Sequence, residues 1–553
     1  MGRIKDYFTK KRLDKLRRDL SMIKRQDNYD AEEVVDLSNV LGKNYFTRKI
    51  QEYQIWNTGN SDLIRAFYKK DPFSSNLNYF WQLALDKTIK RHTGIPKLIS
   101  NKMGTIIFGA GFKPEVTVYK TENGQISEDK NEEESSKAQD VLNALFDKTK
   151  AKEVFHLTAV KESWCGEGFI KFNYNLDLSQ YPILEATDLT HAEAIVERGI
   201  TTAIIFKTRY VKEKDKDKDK ERYRYEEKYT TDENGDALIV NSLYQILVDG
   251  KEKQVPLTTI PETAELEEYY RFEGLKGMIA FHKPNKKPNN EFPGSIYGAS
   301  DYQGAIDSFD ALDEAYSELV SEIRNNKTIR YVPTSMIPRD EFNNPTTIDM
   351  AFITNYQMVE GSIDQNAKNQ IQIQTIDDKT TSLIEKYKNC LITAINLAGL
   401  SPLALGITGL EAINAGEQSQ KERNRVTLET RKDKINNYWK PFLSELTLQL
   451  LSFNNWLVKK AGAKQDGLDV ENVNFDNADI TFDFGEYVVE DETNVITRWA
   501  TAKTSGLASV ETCVKKLHPD WTDDQIVEEV TKIKFENNMG MEDPTLLQMD
   551  FNE

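Results

Sequence analysis

The stretch SIYGASDYQGAIDSFDALDEAYSELVSEIRNNKTIRYVP, Ser295–Pro333, changes pattern twice. From Asp301 to Asn326 apolar residues recur at Ile306, Phe309, Leu312, Tyr316, Leu319 and Ile323, the three-and-four alternation of a one-sided helix. About 26 residues at a 1.5 Å rise would span roughly 40 Å. The opposite face carries Asp307, Asp310, Asp313, Glu314, Glu318 and Glu322. It reads either as a solvated face or as an acidic wall lining something. IRYVP then reads as a strand.

Downstream, residues 329–378 hold a second strand-like run, QIQIQTI, among Pro and Asn, so a small α/β or β insertion is expected. A second helix follows from Thr380 to Leu400, striped by Leu383, Ile384, Tyr387, Leu391, Ile392 and Ile395. The reading is a hairpin of helices with a small head at its tip. Next comes GLSPLALGITGLEAINAGEQSQKERNRVT, Gly399–Thr427, apolar and glycine-punctuated first, polar afterwards. Ser401-Pro402 suits a helix start, with Ser as cap and Pro at the first position. A long helical pattern runs from about Asn414 to Lys460, about 70 Å if continuous. Pro441 removes one backbone donor, so a kink is expected there. A strand is expected within 470–487, with Ile480, Phe482 and Phe484 on one face, and short helices after it.

Upstream, residues 1–43 begin basic and turn acidic at Asp30, Glu32 and Glu33, which reads as a peripheral arm. Residues 44–70 read as two helices broken at Asn57–Asn60, and 93–112 as a helix ending in a glycine turn. Period-two runs at 169–174, 202–211, 222–230 and 238–248 predict strands, the last three forming a meander. The mixed-charge tract KEKDKDKDKE, 212–221, is too polar to pack and reads as a solvated hairpin tip.

With 553 residues, two to four structural modules are expected. No run of about 18 apolar residues predicts a membrane span. The basic N-terminus lacks the apolar core of a signal peptide. Cys165, Cys390 and Cys513 are far apart, which suits a reducing compartment. Gly104–Gly111 superficially resembles a phosphate loop but lacks its Lys-Ser/Thr, and Trp164–Gly168 places a Cys in a turn with no recognisable His partner. No catalytic residue, metal ligand set or cofactor site is assigned. The net charge of −17 repels nucleic acid on average.

The order of these segments resembles the portal, or head-to-tail connector, proteins of long-tailed (siphovirus-type) double-stranded DNA phages. HKPN followed by Ser295–Pro333 is similar to that family's passage into its first stem helix and clip. LITAINLAGLSPLALGITGLEAINAGEQSQKERNRVTLETRKDKINNYW is similar to the second stem helix, tunnel loop and long wing helix. GLASVETCVKKLHPDW is similar to the helical crown. The resemblance implies a helix-rich mixed α+β fold: N-terminal arm 1–43, wing 44–300, stem helix 301–328, clip 329–378, stem helix 379–400, tunnel loop 401–416, long kinked helix and returning strand 417–488, crown 489–553. It implies a non-enzymatic ring, most often of twelve subunits, at one capsid vertex of the virion, assembled in the host cytoplasm. Its partners would be other copies of itself, double-stranded DNA passing without sequence specificity, the terminase large subunit, the head-tail adaptor, and the major capsid and scaffolding proteins, with no membrane and no cofactor. Leu403, Leu405, Ile407, Leu410 and Ile413 would then form a tunnel loop touching DNA or the neighbouring subunit, and the acidic stem residues would include channel-facing positions. A DNA-packaging or nucleic-acid-processing enzyme, or another virion structural protein, remains the alternative.

Overall fold

The structure, a computed structural model, describes residues 45–70, 79–82, 89–109, 111–122, 125–213, 220–247, 251–325, 329–333, 341–342, 356–359, 372–374, 379–407, 417–465, 477–485, 499–518, 521 and 523–536. It mixes helix and sheet, and the chain divides into two compact units, Met1–Gly485 and Glu486–Glu553.

The first unit opens with helices α1 (Tyr45–Thr58) and α2 (Ser61–Lys70). Asn60 breaks them where expected: its Oδ1 accepts from the Asp62 and Leu63 N–H groups, satisfying donors the new helix leaves open. Helix α3 (Ile95–Phe108) carries Pro96 in its first turn and buries Ile99, Met103, Ile106 and Ile107. At Gly104 a Cβ would sit 2.7 Å from Val160 Cγ2. The phosphate-loop look-alike is therefore a helix packed closely on its neighbour.

Strands β1 (Lys113–Glu122) and β2 (Gln125–Lys130) lead into α4 (Glu132–Lys148), capped by Asn131, and α5 (Ala151–Cys165). Gly166 ends α5 at φ 91°, and a Cβ there would lie 2.6 Å from the Gly298 carbonyl oxygen. The chain then pairs β3 (Glu167–Asn173) with β4 (Ile183–Asp188). A second sheet follows: β5 (Ala192–Glu197), β6 (Ile200–Glu213), β7 (Lys220–Thr231) and β8 (Asp236–Ile246) run as consecutive antiparallel neighbours, β9 (Glu252–Val255) pairs with β8, and β10 (Tyr269–Lys276) closes the order. The pairing reaches into the charged tract, with Lys212 opposite Glu221 and Glu213 opposite Lys220. At Lys212–Glu221 opposite charges stand across the ladder, and 214–219 of that tract lie outside the described residues. Strand β11 (Ala280–Pro284) returns to β3.

The helical hairpin is α6 (Ile306–Asn325) packed on α7 (Thr380–Leu397). Between them in sequence, β12 (Ile329–Pro333), β13 (Tyr356–Val359) and β14 (Gln372–Gln374) form a three-stranded sheet, parallel on one side and antiparallel on the other. The long helix follows as α8 (Glu417–Asp433), a π-helical stretch at Lys434–Trp439, α9 (Lys440–Trp456) and a second π stretch at Leu457–Ala461. The irregularity expected at Pro441 is taken up upstream: the Lys440 N–H bonds to the Ile435 carbonyl, five residues back. The helix widens before the proline and continues through it. Strand β15 (Ala478–Asp483) then returns antiparallel to β1. Phe482 stacks on Phe112 at 5.4 Å, and Trp439 meets Phe108 edge-on at 4.7 Å, closing an aromatic core.

In the second unit, Ser509 caps α10 (Val510–Leu517) by accepting from the Thr512 N–H. Val514 packs with Ile526 and Val530 of α11 (Asp523–Glu536).

Gly166→Ala should destabilise the chain by about 1–3 kcal/mol, since it combines a left-handed backbone with a backbone clash. The urea midpoint would fall at unchanged slope; an unchanged midpoint would show that the close approach to Gly298 relaxes freely.

Candidate conduit elements and their buried junction

The acidic face of α6 divides into two groups with different surroundings. Asp307 is exposed and accepts from the Tyr79 hydroxyl at 2.9 Å. Glu314, Glu318 and Glu322 are half-buried, with Glu318 paired to Lys386 of α7 at 2.8 Å. Asp310 and Asp313 are buried. Asp310 accepts from the backbone N–H groups of Phe80 (2.7 Å) and Trp81 (3.3 Å). Asp313 meets Trp81 Nε1, His92 Nδ1, and both the N–H and hydroxyl of Thr93, all between 2.7 and 3.0 Å. This corrects the expectation for these two residues. Their oxygens satisfy donors of the segment packed on α6, which removes them from any surface DNA could meet. Burial pushes the Asp310 carboxyl up to about 7, against the pull of the Phe80 and Trp81 N–H groups.

The loop after α7 starts as a 3₁₀ turn at Pro402–Leu405. Ser401 caps it, accepting from the Ala404 N–H at 3.3 Å. The same serine ties the turn to α8: its N–H donates to Thr427 Oγ1 at 2.9 Å and its hydroxyl to Asn424 Oδ1 at 2.7 Å. Gly399, at φ 79°, lets α7 end against Thr430. Leu403, Leu405 and Ile407 are half-buried; Leu410 and Ile413 lie outside the described residues.

Behind the hairpin lies a junction that the sequence did not single out. Lys434, from the π stretch, is 2% exposed and sits 2.7 Å from Asp301 Oδ2 and 2.5 Å from Asn285 Oδ1. Asp301 also accepts from Ser163 Oγ of α5 at 2.7 Å and from Asn285 Nδ2 at 3.0 Å. One step deeper, Lys283 Nζ donates to Glu162 at 2.5 Å and lies 4.2 Å from the Trp439 ring centroid, while Trp439 Nε1 donates to the other Glu162 oxygen at 3.0 Å. In an α-helix, residues five apart point about 140° away from each other. The π stretch brings Lys434 and Trp439 to one side, so both reach the junction. Burial alone would raise Asp301, but Lys434 and Lys286 outweigh it and hold the carboxyl at about 2. Burial raises Glu162 to about 7 and lowers Lys283, each opposed by its partner. These residues carry no local motif, since α5, β11 and the long helix supply them from distant parts of the chain.

Cys165 is buried, and burial pushes its thiol well above the ordinary range; its Sγ donates to the Glu167 carbonyl. Trp164–Gly168 is thus a packed turn and not a nucleophile. Among the described residues no group of His, Cys, Asp or Glu is arranged to hold a metal, and no helix is long and apolar enough to cross a membrane.

Asp301 yields a pH signature. Its folded pKa lies below the unfolded value, so its contribution is present above about pH 4 and lost as pH falls through about 2. The protein should lose roughly 2 kcal/mol from this group over that window, and Asp301→Asn should flatten that part of the stability profile while lowering stability at neutral pH. Parallel acid limbs in the two proteins would sink this assignment.

Compared with known proteins, the chain matches no family model and no curated protein.

Proposed function

We propose that this chain is a structural, ring-forming portal protein: a conduit for double-stranded DNA at one capsid vertex during packaging and ejection. In this reading it starts head assembly and serves as a docking platform, first for the terminase motor and then for the head-tail adaptor. The observation that carries the proposal is the helix–small sheet–helix hairpin of 306–397, followed by a turn pinned to one long helix at Ser401. A hairpin whose terminal sheet joins only short strands suits a projecting stem and clip. The long helix beside it suits a wing that spaces subunits around a channel.

The electrostatics support the same reading. DNA that must slide needs few phosphate contacts, because each pairing adds affinity and salt-dependent friction. Twelve chains of formal charge −17 would carry roughly −200 in all. Asp307, Glu314, Glu318 and Glu322 are the stem acids that retain access to solvent, and they are the channel-facing candidates.

Native mass spectrometry or negative-stain microscopy should show closed rings near twelve subunits, about 760 kDa from chains of 63.5 kDa. Monomers alone across a wide range of salt and concentration would overturn the proposal, as would robust nucleotide turnover by the purified chain.

The double substitution Glu314→Lys, Glu322→Lys should leave rings intact and cut packaged DNA several-fold, by adding phosphate contacts in the channel. A packaging assay with unchanged yield would place this face away from DNA.

A further inference from the structure

Far in sequence from the hairpin, a cleft of about 590 Å³ lies between one face of α1 and the sheet carrying β5, β6 and β7. The helix contributes Phe46, Ile50, Gln51 and Gln54; the sheet contributes Lys207, Arg209 and Arg224. On the sheet side the charges are unevenly matched. Lys207 pairs with Glu193, and Arg224 pairs with Glu226 at 2.8 Å and with Glu252. Arg209, which is exposed, stands directly opposite Arg224 in the β6–β7 ladder, a pairing of like charges that Glu226 and Glu252 relieve on the Arg224 side alone. Among the described residues Arg209 has no carboxylate partner. Phe46, Ile50, Leu189 and Tyr297 give the same cleft apolar walls. The matching ligand carries carboxylates and apolar side chains together.

The chain's own sequence supplies such a ligand a few residues ahead of the cleft's first lining residue, Phe46. Residues 27–41, DNYDAEEVVDLSNVL, hold Asp27, Asp30, Glu32, Glu33 and Asp36 among Val34, Val35, Leu37, Val40 and Leu41. They run into Tyr45, where α1 begins, and Phe46 on the next position already lines the cleft. From Glu33 to Tyr45 an extended chain reaches about 40 Å, while the α1 wall from Phe46 to Gln54 is only about 12 Å long. Gly42 and Asn44, both turn-favouring residue types, stand between this segment and Tyr45 in the sequence. So short a tether gives an effective concentration in the millimolar range, enough for weak individual contacts to keep the segment docked.

We propose that this cleft is a docking site for the acidic segment Asp27–Asp36 of the same chain, with Glu32 and Glu33 beside Arg209. The N-terminal arm would thus be held on the wing sheet as a latch, independently of whether the chain forms a DNA conduit.

Hydrogen–deuterium exchange on the full-length protein tests this. Amides 30–36 should exchange at least about tenfold more slowly than in a free peptide of the same sequence. Arg209→Glu should abolish that protection, and adding Glu32→Arg with Glu33→Arg should restore it. Exchange at the peptide rate in the unmodified protein, or protection indifferent to Arg209→Glu, would overturn the proposal. A photo-crosslinker at Val35, in chains co-expressed with an excess of chains mass-marked by Thr208→Ser, identifies the acceptor. Coupling to the unmarked β6 peptide is expected; coupling mainly to the marked peptide would put the segment in a neighbouring copy's cleft and overturn the same-chain assignment.

Discussion

The ammonium group of Lys434, held between Asp301 and Asn285 with almost no access to water, fixes the relation between the parts of the first unit. Asp301 lies just ahead of α6, Asn285 follows β11, Ser163 lies in the last turn of α5, and Lys434 belongs to the long helix. A buried ion pair contributes little net stability against an apolar replacement of equal volume, but removing one partner costs several kcal/mol. Its consequence is therefore geometric. Any sliding of the long helix along its axis would strand one charge or the other, so the helix is held in one register against the start of α6. Glu162, Lys283 and Trp439 add a second polar layer with the same property. The π stretch is the backbone cost of this arrangement, since without it Lys434 and Trp439 would face different directions.

Pro441 belongs to the same piece of architecture. A proline within a helix removes the bond its nitrogen would have made and crowds the preceding turn. Here the preceding turn already carries five-residue bonds, as the Lys440-to-Ile435 contact shows. The widened turn serves the junction and relieves the proline together. Reading the sequence alone identifies Pro441 as a disturbance but not the form the disturbance takes, because the deciding partners, Asp301 and Glu162, lie more than a hundred residues away.

Elsewhere, legibility follows the range of the interaction involved. The meander, the break at Asn60, the helical hairpin and the return strand with Ile480, Phe482 and Phe484 were readable because period and capping are local properties. The acidic face of α6 was readable only as a face. Asp310 and Asp313 lie about 60° and 120° round the helix from Asp307, at the edge of the acidic arc beside Ile306, and a segment more than two hundred residues earlier covers them with Phe80, Trp81 and Thr93. Wheel position marks these two as the boundary of the face, but it does not reveal the distant N–H donors that their carboxylates accept from. The same limit hid Lys283 and Lys434, which look like ordinary surface lysines until the fold assembles carboxylates around them.

Burial along the hairpin changes steadily from its base outward. Near the junction, Ile306, Phe309, Leu312 and Ala315 of α6 are buried, as are Leu391, Ala394 and Ile395 of α7. Farther along, Leu319 and Val320 are only half-buried, and Ile323 and Ile384 are exposed at 57% and 37%. Two helices packed only on each other cannot cover a stripe wider than their mutual contact, so the outer half of the hairpin keeps apolar surface that the single chain does not bury. Scattered exposed apolar residues require no explanation, but here they lie on both helices of one hairpin, beyond a base fixed by buried charges. In the ring proposed above, the neighbouring hairpin would supply the missing cover. The rigid junction would then set the angle at which each stem projects, while contact between copies would stabilise the part of the stem that one chain leaves incomplete.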